Sequence, residues 1–475
     1  MFKLHPALNR LNEYTLRIDN PQGVDAHIFA NQEVQIETNA VEELLGFLRV
    51  HQDYEGTLEK VVITPDFHKG RGIPIGTVAL MKGLVLPQAI GTDIGCGVSL
   101  LITDLQSKDL EPHWPTFQTK LRYLFFQGGR DIPMSPEQRI SMLCQGPLGL
   151  LENYNINAHI GLWQYYEPKI QAINATLVTS QPVTLFSPFL NYVEGSGRQD
   201  SRDAQIGSVG GGNHFVEIQE VNQLLGSTYL LDNKLINMPI HPGIVTIMVH
   251  TGSVSLGSLV GRYFVNRARE HWPKGAAKPK SGFYKLEGIN AEEYLTAMWN
   301  AINFAACNRM FLGLMVIRAL VETLGQKVQH CLLWDSPHNW ISQEGNHYLH
   351  RKGACLAKKG KPVLIPGSMG DASYVLVGSG NETALNSACH GTGRQIARGK
   401  TLKQEELSKL KIVTAIDPNT IEIRCRPDIL KKYHRTLAEE APEAYKPSGP
   451  IIQTMQDADI ASPRVKLRPL LTIKG

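Results

Sequence analysis

A mixed α and β fold is what this sequence predicts, and three features carry that expectation. The segments VVITPDF, TVALMKGLVL and IVTIMVH are apolar and β-branched and run into glycine or polar residues, as buried strands do. The stretch AMWNAINFAACNRMFLGLMVIRALVETL reads as a long helix whose apolar positions are mostly core. Composition is that of a folded chain, with 475 residues, 42% hydrophobic, 19% charged and a mean hydropathy of −0.17.

Taken from the N-terminus, MFKLHPALNRLNEY carries charges and a proline where a signal peptide needs an apolar run. No segment reads as long enough to cross a bilayer, so the expected location is the cytoplasm, with no membrane partner. The three strand segments follow, and their ends are where chemistry is expected. Residues 105–205 hold few chemical motifs and read as a helical lobe. Within them Glu194 to Gln205, EGSGRQDSRDAQ, has almost no apolar content, which suits a mobile surface loop or an active-site lid. Asn290 with Glu293 forms a candidate capping box for the long helix, and Gly325 a candidate stop. No fixed-period repeat or low-complexity tract interrupts the chain. Its length allows two or three domains or one large enzyme. Seven scattered cysteines, none in a CxxC pair, do not form a disulfide framework. A net charge of +4 is too weak to mark a nucleic-acid protein, although it excludes a strongly acidic surface that would repel phosphate.

Four glycine-rich segments far apart in sequence each hold metal-capable side chains. Asp93 and Cys96 lie in GTDIGCG, where Gly91, Gly95 and Gly97 allow close backbone approach. Asn213 and His214 follow three glycines in GSVGGGNHF, a run able to nest a phosphate. His250 ends a predicted strand in IMVHTGS, and His338 stands in DSPHNW. Alone, each reads as a turn or a satisfied core residue. Together, one aspartate, one cysteine and three histidines make a ligand set for one or two divalent ions, and ligand softness by itself favours zinc. Asn213 is a further ligand or a donor to one.

A fifth segment, SACHGTGRQIAR, sets His390 beside two arginines, Arg394 and Arg398, that share a face if a helix follows Gly391. His390 there reads as a nucleophile next to a phosphate site. LIPGSMGDASY is a loop able to wrap a nucleotide. Arg351, Lys352, Lys358, Lys359, Lys361, Arg394, Arg398, Arg424 and Arg426 cluster late in the chain and are expected to form an electrostatic footprint for a polyanion.

The strings DFHKGRGIPIG, PQAIGTDIGCG, GGGNHF, HTGS, HNW, RKGA, IPGSMGDASY, CHGTGR and the terminal KG, in this order from Pro65 to Gly475, resemble the RtcB family of RNA ligases. The resemblance implies an α+β fold, one large catalytic domain over residues 1–475 with central β-sheets flanked by helices. It implies an enzyme that joins an RNA 3′-phosphate, or a 2′,3′-cyclic phosphate that it first opens, to a 5′-hydroxyl, using GTP and manganese. Asp93, Cys96, His214, His250 and His338 would then hold two Mn2+ ions with Cys96 as a bridge, displacing zinc as the expected metal. His390 would be the nucleophile that becomes guanylylated. The nucleotide-binding positions implied are Asn213, His214, Phe215, Val216, Glu217, His338, Asn339, Pro366, Gly367, Ser368, Met369, Ser373, His390, Gly391, Thr392, Gly393 and Lys474, with Glu217 reading guanine. Archease enters as a candidate helper in turnover.

The sequence also departs from the family. HSGSRG is replaced by His250-Thr251-Gly252-Ser253-Val254-Ser255, which puts Val254 where a phosphate-gripping arginine is usual. HGAGR becomes HGTGR, and AYKPSGP replaces an AYKD-like continuation near Tyr445. These changes point to a divergent branch specialised for RNA repair rather than tRNA splicing. They keep two alternatives open: a metal-dependent hydrolase of RNA cyclic phosphates or phosphoesters, and a non-catalytic RNA-end-binding protein.

Overall fold

The computed structural model describes residues 4–194, 205–228, 238–396, 410–418 and 420–475. Its strands in chain order are β1 (Leu8–Arg10), β2 (Thr15–Ile18), β3 (Asp25–Phe29), β4 (Leu58–His68), β5 (Ile75–Lys82), β6 (Gly97–Gln106), β7 (Phe215–Leu224), β8 (Ile244–Thr251) and β9 (His330–Pro337). They continue with β10 (Asn339–Glu344), β11 (His347–Lys352), β12 (Ala354–Leu356), β13 (Pro362–Ile365), β14 (Ser373–Gly378), β15 (Ser387–Cys389), β16 (Ile412–Val413) and β17 (Ala461–Ile473). A seven-stranded sheet runs β1-β2-β3-β4-β5-β11-β10. A larger sheet runs β13-β14-β17-β7-β8-β6-β9 with β16 paired to β17, and β12 with β15 forms a two-stranded ribbon. Helices flank these sheets, so the α+β architecture with central sheets is the one observed.

Both faces of the larger sheet are buried, which is why its strands read as unbroken apolar runs. In β8, Val245, Ile247 and Val249 point to the core built around the helix Ile289–Leu324, while Ile244 and Met248 join a smaller cluster on the opposite face. The same alternation divides Leu101 from Val98, Leu100 and Ile102 in β6. VVITPDF falls within β4 and IVTIMVH within β8. TVALMKGLVL is a strand only to Lys82, because Gly83 turns the chain at φ 71°.

The long helix ends as expected at Gly325, which takes the left-handed conformation at φ 67°. Its start differs. Gly288 is the cap, Asn290 lies inside the first turn with a buried Oδ1 that has no partner among the described residues, and Glu293 is paired with Arg267 instead of the backbone. A capping side chain must precede the helical turn to reach its free N–H groups, so the expected capping box does not form. The expectation that no segment could cross a bilayer is also corrected. This helix is long and apolar enough by length and composition, but 83% of its most apolar window is buried inside the fold.

Residues 107–194 contain several short helices whose apolar side chains, among them Phe117, Leu121, Met142 and Trp163, join the same core as the long helix. Two buried asparagines fasten them. Asn300 donates to the Leu143 and Thr184 carbonyls, and Asn303 to those of Leu143 and Gln181. Of the expected loop or lid, Glu194 to Gln205, residues 195–204 lie outside the described residues.

Candidate active site

Strand order explains how distant ligands meet. In the consecutive strands β7-β8-β6-β9, Phe215 pairs with His250, Gly97 with Thr251, and Gly97 with Pro337. His214 immediately precedes β7, Cys96 precedes β6, His250 is the penultimate residue of β8 and His338 follows β9. One edge of the sheet therefore gathers four ligand-bearing segments, and Lys474 joins them just beyond β17, whose Ile473 pairs with Val216.

Two ligand triads result, each with donor atoms within 4.8 Å of one another: Cys96, His250 and His338, and Asp93, Cys96 and His214. Cys96 belongs to both. Its Sγ lies 3.3 Å from His214 Nε2 and 3.4 Å from His250 Nε2, and His214 Nε2 lies 3.3 Å from Asp93 Oδ2. Withdrawal from water pushes the Asp93 carboxyl up, but His214 and Lys352 outweigh it and hold it well below the usual carboxylate range. Burial, together with neighbouring imidazoles, pushes His250 and His338 far down, so both offer neutral nitrogen lone pairs. Burial and Asp93 push the Cys96 thiol up. A carboxylate, neutral imidazoles and a shared sulfur fit divalent-cation binding, which would draw the thiol to thiolate.

Two glycines have no substitute here. At Gly210, φ 83°, a Cβ would stand 2.7 Å from His214 Nδ1, and at Gly252 one would stand 2.8 Å from Asp93 Oδ1. Lys474 Nζ donates to the Gly212 carbonyl at 2.6 Å.

The triads open onto a cleft of about 750 Å³, and His390 lies on its wall beside them. His390 follows β15, its ring centroid 4.6 Å from that of His338. Its Nδ1 lies 2.6 Å from Oδ2 of fully buried Asp66, in β4. Burial raises the Asp66 carboxyl, yet His390, Thr64 and His68 together hold it below its ordinary value. Lys446 Nζ grips the Pro65 and Phe67 carbonyls on either side of Asp66, and its burial lowers its pKa to about 8.

The cleft wall includes Asn213, Phe215, Asn339, Pro366, Gly367, Ser368, Met369, Gly391, Thr392, Gly393 and Lys474, all expected nucleotide contacts. Val216, Glu217 and Ser373 lie behind it, buried. Glu217 accepts from Thr472 Oγ1 and Gln219 Nε2, both at 2.6 Å, and burial raises its pKa to about 7. Asn339 donates to the Asp93 carbonyl and accepts from Gly353 N–H, a bracing role.

Two expectations fail locally. No helix follows Gly391 as far as Ile396, because Gly393 turns at φ 73° and Arg394 pairs as an extended bridge with Tyr445. Arg394 instead engages Glu440 and the Tyr445 hydroxyl, and Arg398 lies outside the described residues. The late basic residues are not one surface either, since Arg351 is buried against Ser342 and Ser387 beneath the Trp340 ring. Asp66 and Lys446 were missed as site residues. A charged residue closing the apolar run VVITPDF was the available signal for the first.

Comparison with known proteins agrees with this geometry. The family model described as tRNA-splicing ligase RtcB matches residues 49–475. The RNA-splicing ligase RtcB homolog 1 of Entamoeba histolytica is 30% identical over 88% of this chain and 80% of its own. The tRNA-splicing ligase RtcB of Archaeoglobus fulgidus is 30% identical over 87% of each chain, and the RNA-splicing ligase RtcB of Escherichia coli 27% over 93% and 95%. The chain belongs to the RtcB family of tRNA-splicing ligases.

Proposed function

We propose that this protein is a GTP-dependent RNA ligase that joins 3′-phosphate or 2′,3′-cyclic phosphate ends to 5′-hydroxyl ends through a histidine-bound guanylate, with two manganese ions. The observation that carries the reading is His390 on the cleft wall, with Nδ1 2.6 Å from a carboxylate oxygen of buried Asp66 and its ring beside His338 of the ligand triads. With Nδ1 paired against the Asp66 carboxylate, Nε2 is the ring nitrogen left for attack.

His390 Nε2 then forms a bond to the α-phosphorus of GTP as pyrophosphate leaves. An oxygen of the RNA 3′-phosphate takes the guanylate, freeing the imidazole, and the incoming 5′-hydroxyl oxygen displaces GMP to close the new diester. Asp66 offsets the positive charge that His390 carries while guanylylated. Asp93, Cys96, His214, His250 and His338 would hold the two ions, which supply charge neutralisation for the triphosphate when bound. Lys474, the Pro366–Met369 loop, Phe215 and Asn213 line the cleft and would flank the nucleotide there.

Val254 in place of a phosphate-gripping arginine favours one competitor, end hydrolysis without joining. RNA labelled at a 3′-terminal phosphate or cyclic phosphate, given saturating GTP and manganese, separates the two. Label that becomes resistant to phosphatase inside a longer product supports ligation. Conversion of cyclic ends to open phosphates with no longer product at any manganese concentration refutes it.

A further inference from the structure

We propose that Arg309, with Asn308 beside it and Asp335 as counter-ion, is a positioning residue that sets the relation between the two ligand triads; this rests on the two-metal reading above. Arg309 is fully buried in the long helix. Its guanidinium donates from Nε and Nη2 to both oxygens of Asp335, at 2.6 and 2.8 Å, and Asp335 lies three residues before His338. The remaining nitrogen, Nη1, donates to the Gly95 carbonyl at 2.9 Å, between Asp93 and Cys96, and to the Thr251 carbonyl at 2.9 Å, next to His250. One planar cation thus holds three ligand-bearing segments.

Asn308 adds the fourth. Its side chain accepts from Ser208 N–H at 3.0 Å and donates to the Ser208 carbonyl at 2.9 Å, at the root of the glycine loop that carries His214. It also donates to the Gly252 carbonyl at 3.2 Å. A second observation points the same way. A Cβ on Gly97, the residue after Cys96, would stand 2.6 Å from the Ser336 carbonyl, 2.9 Å from Pro337 Cα and 3.0 Å from Arg309 Nη1, so the glycine beside the shared thiol lets β9 and the guanidinium close on it together.

None of these contacts touches a donor atom of either triad. The role of Arg309 is to fix the backbones from which Asp93, Cys96, His250 and His338 project. Groups one layer behind metal ligands typically tune affinity about 10- to 100-fold. Lysine at this position can keep the charge against Asp335 but lacks the fork that reaches two further carbonyls.

The test compares wild type with Arg309→Lys and with Arg309→Met/Asp335→Leu, the second removing both charges so that neither is left buried alone. Full-length apoprotein is titrated with Co2+, and stoichiometry, affinity and the thiolate-to-cobalt absorption band are read alongside circular dichroism. The expected result is native circular dichroism, about 10- to 100-fold weaker uptake of at least one equivalent, and an altered band. Wild-type affinity and band in either folded variant overturn the inference. Should Arg309→Lys not fold, the double variant decides. Wild type that takes up fewer than two ions sinks the two-metal reading and this inference together. Wild type that takes up two ions but forms no guanylate sinks only the proposed function, and the variants still decide the role of Arg309.

Discussion

His390 depends on a single buried carboxylate for its orientation, with Asp66 Oδ2 2.6 Å from its Nδ1. Asp66→Asn keeps the shape but removes the charge and permits the wrong tautomer. Guanylate labelling of the enzyme should slow on the order of 10²- to 10⁴-fold, measured as the initial labelling rate at saturating GTP; an unchanged rate removes Asp66 from the mechanism. Glu217 makes a different residue-scale prediction. Burial raises its carboxyl to about 7 from an ordinary 4.5, so between those values the folded chain holds a proton that the unfolded chain has released. Stability therefore falls as pH rises through this window, by about 3 kcal/mol. In Glu217→Gln that component is absent, and urea unfolding at pH 5 and pH 8 should differ less than in wild type. Parallel pH profiles would refute the assignment. The five expected ligands stood out because the short strings that carry them, GTDIGCG, GGGNHF, HTGS and HNW, occur in one family's order. Asp66 and Arg309 did not, because no local pattern records their partners. Arg309 reaches carbonyls 58 and 214 positions away, from inside a helix that otherwise reads as core.

The helix Val254–Glu270 begins next to the ligand strand β8, and its first residue has φ 51°. A β-branched side chain is poorly suited to that region, and the conformation costs on the order of 1–3 kcal/mol. Val254 is only partly buried, so glycine there gives up modest packing and relieves the strain. Val254→Gly should be as stable as wild type or about 1 kcal/mol more stable by urea unfolding; a loss above about 2 kcal/mol would mean that its packing dominates. Helix boundaries set by capping chemistry were less legible than strands. Asn290 and Glu293 match the capping-box pattern, but Arg267, from a neighbouring helix, captures the glutamate.

At the scale of the whole molecule, the site joins elements that are remote in sequence: Asp93 to His338 at one end of neighbouring strands, Asp66 from the other large sheet, His390 after the two-stranded ribbon, and Lys474 just beyond β17. Metal binding to such a site ties the segments together, so saturating manganese at about 100-fold its dissociation constant should add about 2.7 kcal/mol to stability. A melting temperature indifferent to manganese and to chelator would count against any cation site there. Mixed α and β structure was legible from the apolar runs, and the α+β arrangement from the family resemblance. The convergence was not, because it depends on the strand order β7-β8-β6-β9, which only tertiary pairing fixes.

The central claim is that His390 is a nucleophile facing a metal-assisted nucleotide site, and incubation of the full-length protein with α-labelled GTP and manganese tests it most directly. Wild type should retain an acid-labile, base-stable guanylate that maps to His390, lost in His390→Ala and on chelation. An unlabelled wild type, or equal label in His390→Ala, would contradict it.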